Sequence, residues 1–239
     1  MAMLLPQLER RERHPELMDQ PGLDPVLHAQ ALRGLARVNW LSGTANIIWN
    51  TIRPIISASP ENPVRVLDVA CGDGAVAIEL ARRAALAQLP VTVCGCDISP
   101  TAIDLARKRA TTAGVPVDFI VADAVHHPPR DRFDIVVCSL FLHHLADNDA
   151  ISLLNCMREL AGRMVVVNDL IRSRWGYIMT WCGIRLLSRS HVCHIDGPLS
   201  VRAAFTPTEI LALAEQAGLT NSEVSRIWPE RFLLTWKRT

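Results

Sequence analysis

Val66-Leu67-Asp68-Val69-Ala70-Cys71-Gly72-Asp73-Gly74-Ala75-Val76-Ala77 decides how this chain is read. An apolar, β-branched run ends at Asp68–Val69, a turn of small residues follows, and a helical pattern opens at Ala75. Gly72 and Gly74 let the backbone approach a ligand closely, and the helix N-terminus favours a negative group. Taken alone, Gly72-x-Gly74-x-x-Ala77 also suits a dinucleotide-binding turn, or a strand-to-helix turn that binds nothing.

Outward from this stretch the same alternation recurs. Val64–Val69, Val91–Cys96, Val117–Val121, Ile135–Cys138 and Met164–Val167 are short apolar runs. Ala75–Ala87, Pro100–Ala113 and Asn148–Ala161 lie between them and have helical length. Strands separated by helices predict right-handed βαβ units and a doubly wound α/β fold, its parallel sheet covered on both faces. Near the end a helix over Thr208–Ala217 leads into Glu223–Ile227 and Phe232–Trp236. The short join Trp228-Pro229-Glu230-Arg231 predicts an antiparallel pair closing the sheet.

The flanks divide the chain further. Residues 1–25, with Pro6, Pro15, Pro21 and Pro25, read as an extended arm. Residues 26–63 read as an N-terminal helical segment: Val26–Leu41 puts Leu27, Ala31, Leu35 and Val38 on one stripe, and Thr44–Ile56 is rich in Ile. The main domain spans 64–239. Within it, residues 171–205 break the alternation and exceed an ordinary connection of about 12–15 residues. Trp175–Leu187 has a helical pattern, so 171–205 is expected to be a lid, with His191–Asp196 in a loop that ends at Gly197-Pro198.

Composition narrows the class. Of 239 residues, 49% are hydrophobic and 21% charged, enough for a full core and against disorder. Lys and Arg total 25 against 24 Asp and Glu, so no charge excess points to nucleic acid. The apolar run Tyr177–Leu187 is interrupted by Arg185 and falls short of the roughly 20 residues of a membrane span. Met1–Arg13 has no apolar core of signal-peptide length. The seven Cys are scattered without paired CxxC units, which supports neither a disulfide framework nor a metal site and fits a reducing, cytoplasmic compartment. Nothing in the sequence sets an oligomeric state.

Three carboxylates fall at successive strand ends. Asp68 precedes the glycine turn and suits a charged ammonium group. Asp97 ends Cys94-Gly95-Cys96-Asp97-Ile98-Ser99 and can accept two hydrogen bonds from vicinal ribose hydroxyls. Asp123, in Val121-Ala122-Asp123-Ala124, can accept from an exocyclic amine. Each alone also suits a turn or helix cap, but together they converge on the crevice where open α/β sheets bind ligands.

Leu67-Asp68-x-x-Cys71-Gly72-x-Gly74, then Asp97, Asp123-Ala124, Phe133-Asp134-Ile135-Val136 and Leu142-His143-His144-Leu145 resemble a class I S-adenosylmethionine-dependent methyltransferase, in the branch of the ubiquinone and menaquinone enzymes. The resemblance covers roughly residues 64–170. It implies a seven-stranded sheet with the last strand antiparallel and S-adenosylmethionine as cofactor. It assigns Asp68, Ala70, Cys71, Gly72 and Gly74 to the methionine part. Asp97 falls to the ribose, Ile98 to the adenine face, Asp123 and Ala124 to the adenine edge, and Ser139 and Leu140 to the sulfonium. Ala70 stands where the family has Gly. Pro15-Glu16-Leu17-Met18-Asp19 and Asp196-Gly197-Pro198-Leu199-Ser200-Val201 resemble a bacterial subgroup associated with polyketide or phenolic-lipid tailoring.

Because the cofactor brings the electrophile, the protein has to align a nucleophile and help it lose a proton. His143 and His144 follow the fourth strand and are the base candidates, His143 first. His194, with Asp196, could form a lid His–Asp pair. The lid's cations, Arg172, Arg174, Arg185, Arg189 and Arg202, and its aromatics Trp175, Tyr177 and Trp181 read either as a solvated helix or as a roof over a planar acceptor. Trp40 and Trp49 would complete the wall. The expected reaction is methyl transfer to an oxygen, or a carbon, of a small aromatic or polyketide-derived molecule. A nicotinamide-dependent reductase is the alternative, opposed by Asp68, Asp123 and the lack of a Tyr-x-x-x-Lys pair, Tyr177 being the only Tyr. A cofactor-binding module without turnover is the third reading.

Overall fold

The computed structural model describes residues 7–19, 24, 26–27, 30–31, 34, 42–58 and 61–238. The expected stripe through Leu35 and Val38, the wall residue Trp40, and Pro6, Pro21 and Pro25 lie outside them.

Seven strands form one sheet: β1 (Val64–Val69), β2 (Val91–Asp97), β3 (Asp118–Val121), β4 (Phe133–Ser139), β5 (Ala161–Leu170), β6 (Glu223–Ile227) and β7 (Arg231–Lys237). Their order is β3-β2-β1-β4-β5-β7-β6. β1 to β5 run parallel, while β7 is antiparallel to both β5 and β6. The helices are α1 (Thr44–Ser57), α2 (Ala75–Leu86), α3 (Pro100–Ala113), α4 (Asp147–Leu160), α5 (Arg174–Leu187), α6 (His191–Ala203) and α7 (Pro207–Gln216).

Alternation along the strands sorts the core into two layers. Val66, Ile135, Val137, Met164 and Val166 pack with Ile48, Ile52 and Ile56 of α1, Leu80 of α2 and Ile103 of α3. Leu67, Val136, Cys138, Val165 and Val167 face the other way, onto Leu153, Leu154 and Met157 of α4 and Ile210 and Leu213 of α7. Trp49, expected at a ligand wall, is buried in the first layer instead, because helical spacing puts it on the same stripe as Ile48 and Ile52.

Local chemistry sets the helix ends. Ser99 caps α3, with Pro100 in its first turn and Gly114 ending it at φ 65°. Thr206 and Glu209 form a capping box at α7. Between β5 and α7 stand two helices rather than one. The loop expected at His191–Asp196 is the first half of α6, whose N-terminus Ser190 caps. Gly197-Pro198 sits inside that helix: a Cβ at Gly197 would collide with Ile184 of α5, so glycine is what lets the two helices cross closely. A third small cluster, Ala31, Ile184, Val192 and Cys193 with Leu17 and Met18 against it, ties arm, α5 and α6 together.

Candidate active site

The order of the strands places the crevice. The sheet grows one way from β1 to β2 and β3 and the other way to β4, so the connections leaving β1 and β4 diverge and open a gap at their C-terminal ends. The turn Ala70–Gly74 sits at that gap. Gly72 has φ 53°, and a Cβ built on it would meet nothing within 4 Å. Gly74 has φ 76° and presses on Phe119 and Ala106, which a side chain would strike at 2.7 and 2.9 Å. Ala70 is also left-handed, at φ 54°. That is the physical reason a glycine suits the position.

Asp68 is 1% exposed, and neither carboxylate oxygen has a hydrogen-bond partner among the described residues. Burial pushes its pKa up to about 7; the nearby Ala77 amide opposes this and Asp97 adds to it. Asp97 accepts from the Gly72 amide at 2.9 Å and the Ser99 amide at 2.9 Å, which fixes its carboxylate at the end of β2 beside the turn. Ile98 follows with its side chain 66% exposed. Asp123 is engaged locally: it accepts from the Val125 and His126 amides at 2.9 and 3.1 Å and pairs with His126 Nδ1 at 2.9 Å. Ala124 is buried behind it. Leu140 is held at φ 53° with its amide on the Asn168 carbonyl, next to Ser139.

An orphaned buried carboxylate, an open glycine and an exposed Ile together fit a cofactor with a cationic end and a flat apolar end. When bound, S-adenosylmethionine supplies an electrophilic methyl group on sulfur. Asp68, Ala70, Cys71, Gly72, Gly74, Asp97 and Ile98 would hold it; Asp123 would first have to share its carboxylate with a second partner.

The base candidates separate clearly. His143 is buried, and its Nδ1 lies 2.6 Å from Asp169 Oδ1; its amide donates to Asp169 Oδ2 at 3.2 Å. Burial alone would lower the pKa of His143, but the Asp169 carboxylate outweighs it and the net direction is up. Burial likewise pushes Asp169 up, and His143 overrides this to hold it below the usual range. His144 stacks at 4.2 Å between ring centroids; burial, then the charge on His143, pushes it down to about 3. Both histidines line a cavity of about 430 Å³ together with Arg13, His14, Pro15, Glu16 and Ala203. A larger cavity of about 650 Å³, lined by Arg65, Thr92 and Asp118 among others, opens at the opposite ends of the strands, away from the glycine turn.

The lid pair expected of His194 and Asp196 does not form. Asp196 accepts the Leu17 and Met18 amides at 2.8 and 3.0 Å, and His194 Nε2 meets the Ser188 carbonyl at 2.7 Å. Nor do Arg174, Trp175, Tyr177 and Trp181 line the histidine cavity. Trp175 is 69% exposed, Arg174 lies near Glu9, and Trp181 carries the Arg185 guanidinium 3.8 Å above its ring. The pocket wall comes instead from the arm. Arg11 donates to the carbonyls of Ala203, His143 and Leu145 at 2.6, 3.0 and 2.7 Å and stacks on Phe205 at 3.7 Å. Arg172 is buried and donates to Leu8 O and to both Glu209 oxygens. Asp169 was open to discovery, since Asn168-Asp169 ends the fifth apolar run as Asp97 ends the second. Arg11 carried no motif, and Glu16 stood within Pro15-Glu16-Leu17-Met18-Asp19 with no role attached to it.

Comparison with known proteins agrees with this geometry. Residues 66–162 match the methyltransferase domain family. A ubiquinone biosynthesis O-methyltransferase of Pseudomonas fluorescens is 27% identical over 195 residues, covering 79% of this chain and 72% of that one. A demethylmenaquinone methyltransferase of Thermus thermophilus is 35% identical over 130 residues; this chain spans 56% of its length and the match covers 53% of this chain. In fold, the chain resembles the magnesium protoporphyrin IX methyltransferase of Synechocystis, solved with S-adenosylhomocysteine, at TM-score 0.58 and 16% identity over 93% of this chain and 91% of that one. It also resembles the S-adenosylmethionine-dependent methyltransferase SibL, at TM-score 0.67 and 20% identity over 95% and 63%. Residues 66–162 thus carry a methyltransferase domain, and the acidic strand ends, the glycine turn at the switch point and the sheet closed by an antiparallel β7 are what this chain shares in kind with class I S-adenosylmethionine-dependent methyltransferases.

Proposed function

We propose that the chain methylates a hydroxyl oxygen of a small aromatic or polyketide-derived acceptor, with His143 as general base. The observation that supports it is the His143–Asp169 pair. Asp169 fixes Nδ1, which leaves Nε2 as the nitrogen available to take a proton in the cavity. A phenol or enol loses its proton near pH 10 or below, within reach of a single imidazole. The acceptor enters between the arm and the turn Leu142–His144, and the arm keeps water from the reacting oxygen. The names of the ubiquinone and menaquinone relatives support an aromatic, quinone-like acceptor.

The test is turnover on a panel of phenols and enols with S-adenosylmethionine, alongside calorimetry with S-adenosylhomocysteine. His143→Ala should lower kcat by roughly 10²–10⁴-fold while cofactor affinity stays within about twofold. Equal turnover in the variant would remove His143 as base. Tight binding of NADPH with none of S-adenosylhomocysteine would overturn the reading as a whole.

A further inference from the structure

Glu16, His143 and His144 each offer one ligand atom, and these atoms all lie within 4.8 Å of one another. They come from two distant parts of the chain, the arm and the turn after β4, and the three residues line one cavity. The arm is anchored on both sides of Glu16: Arg11 grips the carbonyls of His143 and Leu145, and Asp196 takes the Leu17 and Met18 amides. Glu16 also accepts from Ser200 Oγ at 2.5 Å, and its Oε1 lies 3.9 Å from His144 Nδ1.

We infer that Glu16, His143 and His144 form a divalent-cation site of the zinc class, and that its occupancy excludes the acceptor's base. Two imidazoles and one carboxylate are a borderline-soft donor set, which suits zinc rather than the all-oxygen preference of magnesium or calcium. Donors around a tetrahedral zinc stand about 3.3 Å apart for Zn–N near 2.0 Å. The three ligand atoms therefore have to close by roughly 1.5 Å at most, within the reach of side-chain rotation in a cavity of this size. The outer shell is built as well. Asp169 on His143 Nδ1 is the carboxylate–histidine arrangement that orients a metal-binding ring. Arg13 and His14 at the mouth oppose the cation, while Glu16 and Asp169 favour it.

The consequence rests on the base role proposed above. A cation on His143 Nε2 occupies the lone pair that would take the acceptor's proton.

The experiment uses the full chain freed of metal with a chelator, and zinc ion as the probe. Calorimetry should show one zinc per chain, weakened by about tenfold or more in Glu16→Gln and in His144→Ala. Cobalt(II) in place of zinc should give the intense visible bands of a four-coordinate site, lost in both variants. Thermal melts of the zinc-free variants exclude misfolding. In the zinc-free enzyme, added zinc should inhibit turnover competitively with the acceptor and leave S-adenosylhomocysteine affinity unchanged. No stoichiometric binding, or binding lost only in Cys182→Ser, would overturn the site. Zinc that raises turnover would overturn the exclusion. A failed base assignment looks different: His143→Ala would then turn over normally whatever zinc does.

Discussion

His143 and Asp169 are 26 positions apart in sequence, yet Nδ1 and Oδ1 meet at 2.6 Å. The cause is register. β4 and β5 are parallel neighbours with Ser139 beside Asn168, so the residues leaving the two strands emerge side by side. If Asp169 orients the base, Asp169→Asn should cut kcat by about 10²-fold, with the acceptor KM nearly unchanged. Steady-state kinetics on the acceptor that turns over fastest decides it. An equal loss of S-adenosylhomocysteine affinity would instead mark a general collapse of the strand ends.

Asp68 gives a pH test. Its pKa is about 7 when folded, against 3.8 for an ordinary Asp. Between those values the folded chain holds a proton that the unfolded chain has lost. Stability therefore falls as pH rises from about 4 to 7 and is level above 7, by roughly 2–4 kcal/mol from this group alone. Asp68→Asn should erase most of that slope in urea unfolding at pH 5 and pH 8. A cationic amine placed against Asp68 favours its ionised form. Binding of S-adenosylhomocysteine at pH 6 should then release close to one proton, read by calorimetry in buffers of different ionisation enthalpy. No release would separate Asp68 from the cofactor's ammonium.

Ala70 and Gly72 share a turn but should respond in opposite ways. Ala70 carries a left-handed φ of 54°, which costs an alanine about 1–2 kcal/mol. Ala70→Gly removes that cost and adds back about 0.4–1 kcal/mol of unfolded-chain entropy. The variant should be more stable by up to about 1 kcal/mol, with cofactor affinity retained. Gly72→Val places a branched side chain in open crevice space at φ 53° and should abolish binding of S-adenosylhomocysteine. Thermal melts with and without ligand distinguish the two.

Arg11→Ala tests the arm. The guanidinium spans three carbonyls and the Phe205 ring, so its loss should cost roughly 1–3 kcal/mol and speed proteolysis near residues 10–19. The acceptor KM should rise while S-adenosylhomocysteine affinity holds. A KM equal to that of the parent would separate the arm from acceptor binding.

The sheet and the glycine turn at its switch point were legible because their causes are local. A β-branched run, a small-residue turn and a helix start are neighbours in sequence, and strand-end carboxylates need only a strand assignment. The last strand pair was legible for the same reason, from one short join. The histidine cavity was not. Asp196 looked like half of a catalytic pair because His194 stands two residues away, but in a helix positions two apart point in different directions. Its carboxylate serves the amides of Leu17 and Met18, 179 and 178 positions away. For the lid aromatics the pattern left the ligand side open. An amphipathic pattern shows that a helix has two faces, not which of them meets the ligand, and Trp175 stands on the wet one.

The arm's long-range contacts also bear on the order of assembly. Arg11 bonds to residues 132 to 192 positions further along the chain. Such pairings close large loops and form after the local βα units have condensed. The segment that walls the histidine cavity is therefore made early and seated late, once α6 and the turn after β4 exist to receive it. With the cofactor and acceptor sites as proposed, refolding followed by S-adenosylhomocysteine binding should run ahead of refolding followed by turnover, because the glycine turn needs only the sheet whereas the histidine cavity also needs the arm.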